Sequence, residues 1–414
     1  MKRQLVLFVL ALHQLAAHAQ VAKESTNVNF IKSIQFIGIE KQRQLPLVRL
    51  GESFTLVFDD LLAQDNDYYY KIKYYNHDWT PSDLFPNQYM KGLDNQRIQD
   101  FRSSYGTLQR YTHYNLQLPN TAVDFLVSGN YMVEVYDAED RLVFSRKFLV
   151  YEEMASIELG VYPTQNLTTF RTHQNLQFSI APLGFRVRNI EKDLRVWMLQ
   201  NDQWDTAQIA PIPQYNNGNQ LVYRYDTLTQ FEGGNEFLFF DTKDLRSTNA
   251  NISYVNKENL YQHYLYTNAV RKDLPYTYAP DINGNFVLQT LQGSDPMIEA
   301  DYSIIYFSLA KQYQLNEEEV YVYGKFNNYA LEEENKLIYN PSLEIYEGFL
   351  LLKQGFYNYK FVTKKGEQLY KNSVSGSHAQ TENSYTLLVY HRFQGQRYDR
   401  LIGQGYTQSL SLQK

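Results

Sequence analysis

Three times along the chain a glycine opens a run in which large apolar residues alternate with others, and this recurrence constrains the fold more than any other feature. Gly129-Asn130 precedes Tyr131, Val133 and Val135; Gly234-Asn235-Glu236 precedes Phe237 and Phe239; Gly355-Phe356-Tyr357 precedes Tyr359 and Phe361. A period of two sends successive side chains to opposite faces, so each run reads as a strand with one buried face. Asp137 to Asp140 then turns the first run back into Leu142 and Phe144, which predicts an antiparallel hairpin. The glycines stand 105 and then 121 residues apart, close to one immunoglobulin-like sandwich of about 100 residues. The same alternation runs through Phe54, Leu56 and Phe58, and through Tyr68, Tyr70, Ile72 and Tyr74. With 37 Tyr and 24 Phe, the chain is rich in flat rings that pack across pleated strands. The expected fold class is all-β, as three tandem antiparallel β-sandwich domains of the immunoglobulin-like or early-set kind.

A chain of 414 residues exceeds what one hydrophobic core organises. Lys2 and Arg3, the apolar run from Leu5 to Leu12 and the small-x-small pattern Ala17-His18-Ala19 predict a signal peptide over 1–19. Three units are then expected over 20–154, 155–299 and 300–396, followed by a loosely held tail over 397–414. Residues 241 to 280 lack clean periodicity and hold Tyr261, Tyr264, Tyr266, Tyr276 and Tyr278, which predicts a long excursion on the surface. The leader's apolar run is shorter than the roughly 20 residues a spanning helix needs, and no later segment is longer or free of charge. The chain holds no cysteine, so neither a lipid-bearing thiol nor a disulfide framework is available. These features predict an exported periplasmic protein without membrane insertion. Its net charge of −6 becomes −8 when Lys2 and Arg3 are removed, which repels a phosphate backbone and argues against nucleic acid as a partner.

No arrangement in the sequence supplies catalytic chemistry. The nucleophile elbow, the zinc-protease helix and the phosphate-binding loop are missing, and Gly403-Gln404-Gly405 lacks the third glycine of a dinucleotide fingerprint. Ser375-Gly376-Ser377-His378 reads as a polar turn, because adjacent residues on a strand point to opposite faces. Asp65-Asn66-Asp67 and Asp281-Ile282-Asn283-Gly284 miss the offsets of a calcium loop and read as turns. The expectation is a binding protein with no cofactor and no metal. Within Asn76-His77-Asp78-Trp79-Thr80-Pro81-Ser82, a Trp, a His and a carboxylate meet at a sheet end, where scaffolds carry binding loops. Trp79 either roofs the core with His77 bonded beneath it or faces a partner.

The chain resembles the periplasmic plug proteins of the type IX secretion system of the Bacteroidetes. The resemblance is densest in Asp78-Trp79-Thr80-Pro81-Ser82, Tyr111-Thr112-His113-Tyr114, Leu118-Pro119-Asn120 and Gly129-Asn130-Tyr131. It continues in Gly233-Gly234-Asn235-Glu236-Phe237 with Asp241, in Asp281-Ile282-Asn283-Gly284 and in Ala300-Asp301-Tyr302. It implies a protein that binds the periplasmic mouth of a very large outer-membrane translocon barrel and blocks it when no cargo is in transit. His77, Asp78, Trp79, Pro81, Tyr111 and His113 are the partner contacts it suggests. The last unit also resembles early-set sandwiches of the glycogen-binding kind, through Val320-Tyr321-Val322-Tyr323-Gly324-Lys325-Phe326-Asn327-Asn328-Tyr329. Such modules usually place Trp where this chain has Tyr329. That likeness supplies the alternative, a periplasmic glycan-binding protein using Tyr329, Lys325 and Asn327.

Overall fold

The computed structural model describes residues 21–39, 43–311 and 318–409. The expected signal peptide over 1–19 lies outside the described residues, as does the end of the expected tail. The regular structure of the described chain is nearly all β, with 48% strand against 5% helix, in antiparallel sheets with few parallel pairings, as the alternating pattern predicts.

The first unit pairs two sheets over one core. In one sheet, Tyr69–Tyr75, Gly129–Tyr136 and Leu142–Tyr151 lie side by side; in the other, Ile31–Ile37, Phe54–Asp60, Thr112–Leu118 and Asp100–Ser103 do. The expected hairpin is present: Gly129–Tyr136 runs antiparallel to Leu142–Tyr151, with a register shift at Val135/Tyr136. Asp137 Oδ1 closes its turn by accepting the Glu139 and Arg141 N–H groups. Tyr70, Ile72 and Tyr74 point inward while Lys73 faces solvent. Their rings and those opposite interlock: Phe58 meets Phe144 edge-on at 5.0 Å and stacks on Tyr114 at 5.0 Å. Such offset and edge-on contacts suit the quadrupoles of aromatic rings.

Beyond residue 154 the chain departs from a simple series. The middle unit sets Ala155–Pro163, His173–Pro182 and Gln220–Tyr223 in one sheet. Its second sheet joins Gln208–Ile209 and Leu194–Gln200 to Ser384–His391 and Arg400–Gln408, from the far end of the chain. The expected boundary at 396 and the loose tail are therefore corrected. Leu401 and Ile402 are fully buried, and Ile402 belongs to the core of the middle unit. Gly403-Gln404-Gly405 serves packing: a Cβ at Gly405 would lie 2.6 Å from Ile157 Cγ2 in the facing sheet.

The last unit is built around a ten-stranded sheet that begins at Leu238–Asp241, not at residue 300. Leu238–Asp241 pairs with Gly355–Lys365, so the second and third glycine-led runs are neighbours in one sheet and do not mark separate units. The expected excursion over 241–280 contains the hairpin Ile252–Lys257 and Tyr261–Leu265, whose second strand runs parallel to Tyr302–Ala310. Phe240 and Phe307, from strands far apart in the sheet order, meet at 5.8 Å across one core. Periodicity marks a strand but not its partner, which is why the boundary at 299 was misplaced.

If Arg400–Gln408 is a core strand, Leu401→Ala and Ile402→Ala each lower stability by about 2–5 kcal/mol. Urea unfolding with an unchanged slope measures this, and a loose tail would give no loss.

Candidate partner-binding surface

The strand Phe54–Asp60 is buried on both faces, and its outward face carries Asp59. This carboxylate lies in register with His113 on the neighbouring strand, whose Nδ1 approaches Asp59 Oδ1 at 2.6 Å. Asp59 Oδ2 accepts from Lys353 Nζ at 2.7 Å and from the Tyr302 hydroxyl at 2.7 Å, both in the last unit. Lys353 Nζ also donates to the Met297 carbonyl at 2.6 Å and sits 4.1 Å from the centre of the Tyr111 ring. Tyr111 in turn donates to the Ala300 carbonyl at 2.8 Å and meets the Tyr302 ring edge-on. Burial alone would raise the Asp59 pKa, but the Lys353 charge and the His113 contact outweigh it and hold the carboxyl below its ordinary value. Burial shifts Lys353 the other way, downward, against the pull of Asp59.

A second joint, between the first and middle units, is built on the Asn76–Thr80 turn. Trp79 takes a positive φ of 64° and packs among Leu149, Leu199, Leu388 and Leu401. Trp204 crosses it at 5.4 Å, and Lys147 Nζ stands 4.4 Å above its ring. Asp78 Oδ1 fixes the turn by accepting the Thr80 N–H at 3.1 Å and its hydroxyl at 2.6 Å. Trp197 Nε1 donates to His77 Nδ1 at 3.2 Å, and the His77 N–H reaches Asp399 at 3.3 Å. Burial, working against nearby Asp399 and Asp78, lowers the His77 pKa and favours the neutral ring that this bond requires.

Of the six residues expected to contact a partner, five are engaged within this chain, and Trp79 takes the first of its two expected places, packed over a core with His77 beside it. Tyr111, His113 and Trp79 are 0%, 1% and 3% exposed, and they hold this chain's own units together. His77 and Asp78 are half-buried supports of the same turn, and Pro81 alone of the six is exposed. The glycan residues are likewise engaged. Tyr329 packs its ring on Tyr323 at 4.9 Å and turns its hydroxyl to Gln44. Asn327 Nδ2 donates to the Val322 carbonyl at 3.0 Å, and Lys325 Nζ lies 3.4 Å from Asn328 Oδ1. No free ring face is offered to a sugar there.

The outward surface that could meet a macromolecule lies elsewhere. Across four strands of the large sheet, Tyr254, Tyr264, Tyr306 and Phe349 occupy paired registers. Their rings follow one another at 5.7, 4.3 and 5.6 Å, with Tyr264 and Tyr306 stacked at 3°. Tyr254 is 58% and Phe349 60% exposed, and Ile338 on the next strand is 74% exposed. A contiguous apolar row on a sheet face is the kind of surface that marks a macromolecular contact. The sequence signal was present but unread, since Tyr302, Ile304 and Tyr306 alternate with Ile305, Phe307 and Leu309 to make both faces of one strand apolar.

Among the described residues, no group of three or more His, Asp or Glu could hold a metal ion, and no helix is long and apolar enough to cross a membrane. Fold and surfaces together define an all-β protein whose Asp59–Lys353 pair faces inward and whose aromatic row faces out. Residues 31–152 match the family model described as Type 9 secretion system plug protein 1st domain, and the chain belongs to the type IX secretion system plug family. The crystal structure of a hypothetical protein from Parabacteroides merdae ATCC 43184 is similar over 93% of this chain and 99% of that one, with a TM-score of 0.88 and 32% identity. A trypsin-activated alpha-2-macroglobulin from Escherichia coli matches at a TM-score of 0.18 and 10% identity, too low to bear on the fold. No curated protein matches the chain.

Because Asp59 is held below its ordinary value of 3.8, its contribution to stability is present above that pH and lost as pH falls through the lower folded-state value. Removing one partner of such a buried pair costs about 3–5 kcal/mol. Lys353→Met is therefore expected to lose that much in urea unfolding at pH 7. Asp59→Asn should flatten the wild-type decline below pH 4, and a parallel decline in both proteins would refute the assignment.

Proposed function

We propose that this protein is the periplasmic plug subunit of the type IX secretion system, seated on the periplasmic opening of the outer-membrane translocon barrel and sealing it when no cargo is in transit. The observation that carries this reading is the match of its first unit to the plug family. A stopper must be wide and stiff. A compact chain of this length has a radius of gyration of about 21 Å, and barrels of up to about 36 strands set the scale of the opening. The buried joints at Asp59–Lys353 and Trp79–Trp204 support stiffness, because sliding the first out of register would leave a buried charge unpaired and parting the second would bring large rings into water.

The docking face in this reading is the row Tyr254, Tyr264, Tyr306 and Phe349. Tyrosines suit such contacts by burying area while keeping a polar tip in water. The periplasm, associated with the outer membrane through the barrel, is the location that follows.

Crosslinking in envelope extracts, followed by identification of captured proteins, tests the proposal. The wild type is expected to recover a large outer-membrane barrel. Tyr254→Ala combined with Phe349→Ala should reduce recovery at least tenfold while changing the unfolding midpoint little, since exposed positions contribute within about 0.5 kcal/mol each. Failure of the wild type to capture any barrel would end the plug reading, whereas equal capture by the variant would move the docking face elsewhere.

A further inference from the structure

A second feature remains that neither the joints nor the aromatic row uses. Between the middle and last units lies a cleft of about 1010 Å³, at the upper end of the roughly 300–1,000 Å³ range of ligand sites. Lys360, on the strand Gly355–Lys365, lines it and is 7% exposed. Its neighbour Lys371 is engaged by Asp205 Oδ1 at 2.7 Å and by Gln203. Lys360 forms no hydrogen bond or ion pair among the described residues, and its contact is with the Phe237 ring, 4.9 Å from the ammonium. A buried charge without a partner is costly, and the other deeply buried lysine, Lys353, has its carboxylate. Burial, then the charge of Lys371, lowers the Lys360 pKa to about 7, with Asp205 and Asp281 opposing and Arg271 adding to the shift.

The other lysines of the lining, Lys272 and Lys371, are offset by Glu232, Asp273 and Glu318, so the acidic preference rests on Lys360 and the remaining lining bears on the shape of the ligand. Two strands border the cleft: Gln368–Tyr370 is bonded to a neighbour on one side only, whereas the outward carbonyls of Gln230–Glu232 already accept from Gln208 and Gln200. An edge strand offers backbone groups to an extended chain. Asn372 Oδ1 and Thr206 Oγ1 line the cleft as well and are buried without hydrogen-bond partners. We propose that the cleft binds an extended acidic polypeptide segment, laid along an edge strand with one of its carboxylates paired to Lys360. An anion alone would satisfy the lysine but would leave the Gln368–Tyr370 edge and the orphan polar atoms unused. This site is independent of the aromatic row and of the plug assignment.

The test uses the full chain and a fluorescein-labelled nine-residue peptide of alternating Thr and Glu, with a Thr–Gln counterpart, read by fluorescence anisotropy at pH 6 and low salt. The acidic peptide is expected to bind saturably and at least tenfold more tightly than the Gln peptide. Lys360→Met should weaken it at least tenfold while melting at or above the wild-type temperature, and Lys91→Met should leave it unchanged. In wild-type protein, the ¹⁵N signal of the Lys360 ammonium should shift on adding the acidic peptide, which keeps the proposal testable if the variant does not fold. Equal affinity for both peptides, undiminished binding by Lys360→Met, or an unmoved ammonium signal would overturn it. Saturation by acetate without any gain for the peptide would make it a small-anion site, and preference for polygalacturonate would make it a glycan site; either result also overturns it.

Discussion

The Asp59 carboxylate is the interaction on which the arrangement of units depends. It projects from the outer face of a strand whose inner face already belongs to the core of the first unit, and it gathers His113 from its own sheet with Lys353 and Tyr302 from the last unit. Ion pairs of this kind contribute little net stability against an apolar replacement, but they are unforgiving of misalignment, because a displaced partner leaves an unmatched charge in a dry place. The contact therefore acts on geometry: this relative placement pairs both oxygens of the Asp59 carboxylate, and a displaced one would not. Asp301 reinforces it by accepting the Leu108 and Gln109 N–H groups at 2.7 and 3.1 Å, so backbone from the first unit is held by the last.

The tryptophan joint works by a different means. Trp79, Trp204 and Trp197 form a chain of ring contacts between the first and middle units, and His77 ties its end with a neutral acceptor nitrogen. One joint is charged and directional, the other apolar and large in area. Together they join all three units, which leaves the sheet face with Tyr254, Tyr264, Tyr306 and Phe349 as an outward surface on a fixed body. This division explains why Trp79, Tyr111 and His113, which carry part of the family resemblance, are buried: they preserve the relative placement of units.

How much of this was legible in the sequence follows from the range over which each signal acts. Alternation at Phe54–Phe58, Tyr70–Tyr74 and Tyr131–Val135 is local, and the strands and the first hairpin stand where it places them. Pairing is not local. Nothing within Ser384–His391 indicates that its partner is Leu194–Gln200, and nothing near Phe239 indicates Asn358. Candidate site residues suffered from the same limit, because a Trp, His and carboxylate at a sheet end look alike whether they face solvent or a second unit. The aromatic row was readable in principle. A strand apolar on both faces, such as Tyr302–Ala310, has one more face than its own core can cover.

The return of Ser384–His391 and Arg400–Gln408 to complete the middle unit has a consequence for biogenesis. A polypeptide synthesised from its amino end presents Leu194–Gln200 long before the strands that will flank it. Through most of synthesis that sheet keeps a raw, sticky border, and loop closure over some two hundred residues must precede its completion, a contact pattern associated with slow folding. The middle of the molecule is thus the last part to mature, and it is there that a newly made copy would need shelter from wrong pairings.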